Sequence, residues 1–163
     1  MITVALSLGS NVGDRKKNID SMIGELKTVL QPPVEISRLM ETEPLGTTGT
    51  HEWYFNCVMI GRYPGHAHEL MHACQHIEKK LGRKTKNDLS PRTADIDILL
   101  ADQRIISESD LNIPHPALLN RRFCIEGIAS LRPDWIHPVS GLSFHKLSLK
   151  SDKQLLSQKI IFH

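Results

Sequence analysis

The sequence predicts an α+β fold in which helices pack on an antiparallel sheet. Four segments alternate apolar and polar residues, as half-buried strands do, and two segments have apolar residues at helical spacing. These segments follow one another in the order βαββαβ. We expect one domain over residues 1–163, because a chain of this length suits one hydrophobic core.

The first strand and the first helix are separated by a glycine-containing turn. The segment "ITVALSL" alternates and begins with β-branched residues, which predicts a strand. Apolar residues at helical spacing predict a helix over residues 16–30. Between them, "GSNVGD" predicts a turn in which Gly9 and Gly13 allow a close approach of the backbone, with Asn11 or Asp14 as the helix cap. This turn lacks the "GK[ST]" ending of a P-loop.

The remaining core elements complete a recognisable order. Residues 34–41 and 53–62 predict the second and third strands, and residues 66–81 predict the second helix. Residues 93–101, "TADIDILLA", predict the fourth strand. The order βαββαβ is typical of a ferredoxin-like sandwich.

A C-terminal extension follows this core. It is predicted to contain a short turn and strand at 102–106, a proline-rich loop and a helix at 122–131, while the tail past about residue 148 has no assigned structure.

Composition excludes some classes of protein. With 23% charged residues and a formal net charge of +2, the chain shows no charge excess that favours nucleic acid or membranes as partners. Three widely spaced cysteines suit buried, reduced thiols. The amino terminus lacks a basic signal-peptide region, and no apolar run reaches about 20 residues. We therefore expect a cytoplasmic protein, with a monomer as the default.

Two aspartates on the fourth strand are the main candidates for chemistry. Asp95 and Asp97 are two residues apart, so on a strand they face one side at a separation of about 6.5 Å. Like charges this close repel one another unless a cation lies between them, and Mg²⁺ prefers such oxygen ligands together with substrate phosphates. The alternative is that both carboxylates line a solvated face of the sheet.

Basic residues surround this pair in the sequence and predict a phosphate-binding site. Arginine suits the role because its fork binds two phosphate oxygens at once. The alternative for each arginine is a surface salt bridge, and this applies more to Arg122 than to Arg92. The basic candidates are Arg83, Lys84, Lys86, Arg92, His115, Arg121 and Arg122.

A polar residue within the third strand predicts a binding site for a flat ring. Tyr54, Asn56 and Val58 share one face, and a buried amide requires partners or a ligand. The amide edge suits a heterocycle, on which Tyr54 and Phe123 could stack. The alternative is that both aromatic residues belong to the core and that backbone groups satisfy Asn56.

Histidines on the second helix have a spacing that resembles a metal site. His68, His72 and His76 repeat at a spacing of four residues, near His66. They lie opposite the apolar stripe and share their face with Lys79, so a solvated face is the expected role.

Several motifs together resemble a known family. "GSN", "TEPLG", "YFN", "EKKLGR", "PRTADIDILL", "IPHP" and "NRRF" occur in the order found in the 6-hydroxymethyl-7,8-dihydropterin pyrophosphokinases of folate biosynthesis. The resemblance covers roughly residues 2 to 135. It implies a ferredoxin-like α+β fold and transfer of pyrophosphate from ATP to the pterin hydroxymethyl group, with release of AMP.

The resemblance also implies roles for individual residues. Asp95 and Asp97 would hold two Mg²⁺ ions that bridge the ATP phosphates. Residues that contact or border the nucleotide would be Gln75, Glu78, Arg83, Arg92, Ile98, His115 and Arg121. The pterin pocket would consist of Thr42, Pro44, Leu45, Tyr54, Asn56 and Phe123.

Some positions depart from the family pattern. "KNDLSPR" places Asp88, Leu89 and Ser90 where the family usually has an arginine and often a tryptophan, and Pro116 stands where a tyrosine is common. Two alternatives follow: a paralogue that uses the same chemistry on another pterin or alcohol, and a nucleotide-binding protein with impaired catalysis. An RNA-binding ferredoxin-like module is disfavoured, because the fourth strand carries aspartates and aromatic residues are 5% of the chain.

Overall fold

A computed structural model describes residues 1–44, 52–83, 92–154 and 159–163. The core elements are β1 (Ile2–Ser10), α1 (Arg15–Val29), β2 (Gln31–Ile36), β3 (Met40–Thr42), β4 (Tyr54–Tyr63), α2 (Ala67–Lys80) and β5 (Asp95–Ala101). The extension contains β6 (Ile106–Ser107), β7 (Asn112–Ile113), a 3-10 turn (Leu118–Asn120), α3 (Arg122–Leu131), α4 (Phe144–Gln154) and β8 (Ile160–Phe162).

The described strands form one main sheet and a small hairpin. The main sheet has the order β5-β1-β4-β3-β8, with β2 also beside β4, and every pairing is antiparallel. Strands β6 and β7 form the separate hairpin. The ferredoxin-like α+β prediction is therefore confirmed.

Helices cover both faces of the main sheet. One hydrophobic cluster packs α1 and α2 against residues such as Leu6, Met59 and Ile96. A second cluster packs α3 and α4 against the opposite face, which includes Val58 and Leu99. Within the described ranges, no helix is long and apolar enough to cross a membrane.

The single strand predicted at 34–41 is wrong, because β2 and β3 are separate. Ser37 donates its backbone N–H to the carbonyl of Val58 at 2.8 Å, and the Val58 N–H donates to Ser37 Oγ at 2.9 Å. The serine hydroxyl thus takes a place that a backbone carbonyl has in a regular ladder. The chain turns away from β4 there before it returns as β3.

Two other local predictions are correct only in part. Gly9 lies within β1 and not in a turn, whereas Gly13 does turn, with a φ of 67°. The turn predicted in 102–106 is present, with a φ of 49° at Asp102, but the strand that follows it begins only at Ile106. The carboxylate of Asp102 accepts a hydrogen bond from Thr3 N at 2.8 Å, which stabilises that turn.

The two predicted helices of the core and α3 agree with the structure. Asp14 is the cap of α1, since its side chain accepts a hydrogen bond from Lys17 N at 3.0 Å. The unassigned tail is folded where it is described: Phe144 of α4 is fully buried in the second cluster, and β8 pairs with β3.

Candidate active site

The two aspartates of β5 lie where the alternation predicted. Ala94, Ile96 and Ile98 are buried in the cluster beneath α1 and α2. Asp95 and Asp97 face the other side, and each of their side chains is 15% exposed. Both carboxylates therefore lie on one partly open face at the end of the sheet.

Two arginines contact the first of these carboxylates. Arg83 Nη1 lies 2.6 Å from Asp95 Oδ1, and Arg92 Nη1 lies 3.1 Å from Asp95 Oδ2. Arg92 is fixed through its backbone as well, because its N–H donates to Asn11 Oδ1 at 2.7 Å and its carbonyl accepts from Asn11 N at 3.1 Å. The buried Asn11, at the end of β1, thus positions Arg92 and does not cap α1.

The second carboxylate has its own basic neighbours. Arg121 Nη1 lies 2.9 Å from Asp97 Oδ2, and His115 Nε2 lies 3.8 Å from the same oxygen. His115 Nδ1 accepts a hydrogen bond from Ala117 N at 3.1 Å, which directs Nε2 towards Asp97. Arg122 points elsewhere, with its Nε 3.8 Å from Glu126 Oε1 on α3.

Arg83 is held from beneath by Glu78. Glu78 Oε1 accepts hydrogen bonds from Arg83 Nη1 at 2.5 Å and from Ile96 N at 2.8 Å, so it connects α2 to β5. The Arg83 side chain is only 5% exposed. Burial alone would lower the pKa of Arg83, but Asp95 and Glu78 outweigh burial and raise it. The guanidinium remains charged, and Glu78 supports it from inside the core.

Arg121 is in a similar electrostatic situation. Burial is the largest single effect and acts to lower its pKa, but the charge and hydrogen bond of Asp97, together with weaker effects of Cys124 and Asp95, raise the pKa overall. The site therefore keeps permanent positive charge on both sides of the carboxylate pair.

Three of the predicted ring-binding residues, Thr42, Tyr54 and Asn56, lie together next to the carboxylates. Gly9 of β1 pairs with Asn56 of β4 on one side and with Asp95 of β5 on the other. Asn56 is buried and donates from Nδ2 to Thr42 Oγ1 at 2.6 Å. Tyr54 is half-buried, and burial is the main cause that raises its pKa, so its hydroxyl stays protonated.

The remaining residues predicted to bind the ring are Phe123, Pro44 and Leu45. Phe123 is buried, in the cluster beneath α3, and Pro44 is half-buried. Leu45 lies outside the described residues, as do Lys84, Lys86 and the positions 88–90 that depart from the family pattern.

A cleft of about 300 Å³ opens beside Asp97. Ile98 and His115 line it together with Cys74 of α2 and Leu111 of the hairpin. Gln75 is half-buried next to Cys74 on α2. The cleft, the carboxylate pair and the Asn56 face are thus neighbours along one end of the sheet.

Comparisons with known proteins show which family the chain belongs to. The family model described as 7,8-dihydro-6-hydroxymethylpterin-pyrophosphokinase (HPPK) matches residues 5–133. The chain is 34% identical over 142 residues to the 2-amino-4-hydroxy-6-hydroxymethyldihydropteridine pyrophosphokinase of Porphyromonas gingivalis, covering 85% of this chain and 95% of that protein.

Longer proteins also contain a similar region. The chain is 36% identical over 140 residues to the folic acid synthesis protein fol1 of Pneumocystis carinii, which corresponds to 86% of this chain but spans only 19% of that protein. Among solved structures, the Plasmodium falciparum HPPK-DHPS with pteroate superposes with a TM-score of 0.75 at 13% identity, covering 96% of this chain and 45% of that one. That structure supports the fold alone. From the match to the family model and the near full-length similarity to the Porphyromonas protein, the chain belongs to the 7,8-dihydro-6-hydroxymethylpterin-pyrophosphokinase family.

Proposed function

We propose that this chain transfers the pyrophosphoryl group of ATP to the hydroxymethyl group of 6-hydroxymethyl-7,8-dihydropterin. The hydroxyl oxygen attacks the β-phosphorus, the bond from that phosphorus to the oxygen bridging the α- and β-phosphates breaks, AMP leaves, and the hydroxyl proton is released. The observation that carries the proposal is the pair Asp95 and Asp97 set among Arg83, Arg92 and Arg121.

The arginines would bind the triphosphate. Arg92 and Arg121 flank the two carboxylates from opposite sides, at 3.1 and 2.9 Å. Their side chains are 18% and 30% exposed, so phosphate oxygens can reach both guanidiniums. Arg83 is nearly buried, and we assign it to holding Asp95 in place and adding positive charge from beneath.

The two aspartates would hold two Mg²⁺ ions. The donor set fits, because two carboxylates on one face of a rigid strand offer hard oxygen ligands beside an open cleft. Bound Mg²⁺ neutralises charge on the triphosphate and makes the β-phosphorus easier to attack. The sheet itself would hold the two carboxylates in position, since Asp95 pairs with Gly9 of β1 and Asp97 pairs with Ser7.

The two substrates would approach from different sides of the pair. The nucleotide base suits the cleft lined by Ile98, Leu111 and His115. The pterin suits the face where Asn56 and Tyr54 adjoin Asp95 across Gly9. This arrangement brings the pterin hydroxyl and the nucleotide phosphates together over the carboxylates.

We also propose that the protein acts in the cytoplasm. All three cysteines are free and buried, which suits a reducing compartment.

The reaction is tested by incubating the protein with ATP, Mg²⁺ and 6-hydroxymethyl-7,8-dihydropterin and separating the nucleotide products. AMP and the pterin pyrophosphate should form in equal amounts. Pterin-dependent ADP would contradict the proposal, and AMP formed only with a different alcohol would indicate the paralogue.

Variants of the carboxylates test the site within the same assay. Asp95→Asn and Asp97→Asn should each lower kcat by at least about 10²–10³-fold, the usual cost of losing one key electrostatic group. Asp20→Asn is a matched control, because Asp20 is exposed on α1 and pairs with Lys16 at 2.8 Å, one turn away on the same helix. Turnover near the wild-type value in either of the first two variants would refute the metal role.

A further inference from the structure

One of the three helix histidines differs from the others in its surroundings. His68 lies in the first turn of α2 and faces the tip of the hairpin formed by β6 and β7. Its Nε2 is 3.2 Å from Glu108 Oε2 and 3.9 Å from Asp110 Oδ1. His72 and His76, further along the same helix, are exposed.

The three side chains have the spacing of a metal site. One ligand atom from each of His68, Glu108 and Asp110 lies within 4.8 Å of the other two. Around tetrahedral zinc, with Zn–N and Zn–O bonds of roughly 2.0–2.2 Å, neighbouring ligand atoms are about 3.4 Å apart. The two separations from His68, 3.2 and 3.9 Å, lie on either side of that value, so small side-chain rotations would suffice.

The charges and the chemistry of the ligands select the ion. Two carboxylates and one neutral imidazole carry two negative charges, which a divalent cation balances. Imidazole nitrogen favours zinc and similar borderline metals, whereas Mg²⁺ and Ca²⁺ prefer oxygen ligands alone.

The hairpin tip is held in shape by its own hydrogen bonds. Glu108 N donates to the carbonyl of Leu111 at 3.0 Å, and Asn112 Nδ2 donates to the carbonyl of Glu108 at 3.1 Å. The two acidic ligands therefore project from a defined turn, and solvent ions can reach them because both side chains are more than half exposed.

We propose that His68, Glu108 and Asp110 bind one Zn²⁺ ion, with water as a fourth ligand. The ion joins the start of α2 to the β6–β7 hairpin. Asp110 also lines the cleft beside Asp97, so the zinc site lies on the outer rim of that cleft and shares no ligand with the carboxylate pair. The site is separate from the proposed reaction and does not depend on it.

The test is titration calorimetry with Zn²⁺ alone on the full chain, without nucleotide and with excess Mg²⁺ present. The excess Mg²⁺ competes with Zn²⁺ for the carboxylates of Asp95 and Asp97. We expect one equivalent of zinc to bind. His68→Gln and Asp110→Asn should each weaken binding by more than about tenfold, since changing even an outer partner of a zinc ligand costs about 10–100-fold.

A matched control separates this site from ordinary helix histidines. The double variant His72→Gln/His76→Gln removes the exposed pair at the same four-residue spacing and should bind zinc as the wild type does. Circular dichroism melting should show all variants folded, since the changed side chains lie at the surface.

Three outcomes would overturn the proposal. One is the absence of zinc binding by the wild type. The second is binding that survives unchanged in His68→Gln or Asp110→Asn. The third is loss of binding in the double variant alone, which would assign the zinc to the exposed histidine pair. Anomalous diffraction at the zinc edge gives an independent readout, because it locates the ion directly.

Discussion

Replacing Gly9 with alanine should damage the proposed pterin site specifically. A Cβ on Gly9 would lie 2.9 Å from Asn56 Oδ1, 3.7 Å from Tyr54 Cδ1 and 3.8 Å from Asp95 Cβ. The first distance is shorter than real Cβ contacts, so Asn56 must move. Gly9 therefore keeps open the space between the amide and the carboxylate.

The structure gives the magnitude of this effect. Asn56 is 4% exposed and its Nδ2 donates to Thr42 Oγ1 at 2.6 Å, so it cannot shift without straining that bond. Losing a typical hydrogen bond costs about 0.5–1.5 kcal/mol, and overpacking a site costs about 1–3 kcal/mol. If displacing the Asn56 amide costs about 2 kcal/mol of transition-state stabilisation, kcat/KM for the pterin falls about 30-fold.

The assay compares Gly9→Ala with Gly24→Ala. Gly24 lies in α1 with nothing within 4 Å of its would-be Cβ, so alanine there should leave both substrates' kcat/KM unchanged and stabilise the helix by about 0.5–1 kcal/mol. Gly9→Ala should raise KM for the pterin with little change in KM for ATP. A wild-type KM for the pterin in Gly9→Ala would refute the reasoning.

Three further predictions concern the cations, their support and the thiols. Arg121→Ala should lower kcat/KM for ATP far more than Arg122→Ala, because Arg121 contacts Asp97 whereas Arg122 pairs with Glu126 within α3; equal losses in steady-state assays would contradict this ranking. Glu78→Ala should lower the free energy of unfolding in urea by about 3 kcal/mol, because it leaves a buried guanidinium short of one carboxylate; a loss below about 1 kcal/mol would argue against that support role. Burial raises the pKa of the Cys57 thiol to about 12, so it should resist a thiol reagent at pH 8 until urea unfolds the chain; rapid reaction of the native protein would show that this core is open.

The alternation within β5 is the feature that sequence reasoning predicted best. A period of two fixes which residues face the core, so Ile96 and Ile98 had to be buried while Asp95 and Asp97 shared the opposite face. The helical spacing in α1, α2 and α3 placed those elements within about one residue of their observed bounds.

Features that depend on distant partners could not be predicted in the same way. The break between β2 and β3 depends on Ser37 bonding to Val58, which is 21 residues away in the chain. Strand β8 forms by pairing with β3, and β8 is too short for its sequence to show the alternation of a strand. Helical periodicity treats His68 and His76 alike, and only the hairpin that folds back onto α2 distinguishes them.

The candidate site, too, was predicted only where neighbouring positions in the sequence carried the information. The arginines near the carboxylates were predicted from their positions in the sequence, and Arg83, Arg92 and Arg121 do contact Asp95 or Asp97. The support roles of Glu78 and Asn11 were not predicted, because they depend on contacts between α2, β1 and the approach to β5.

The most direct test of the account is a crystal structure of the protein with a non-hydrolysable ATP analogue, Mg²⁺ and the pterin. We predict that Asp95 and Asp97 both bind Mg²⁺ ions that also contact the phosphates. If both carboxylates keep their arginine partners and neither contacts a metal, the proposed role of the pair is wrong.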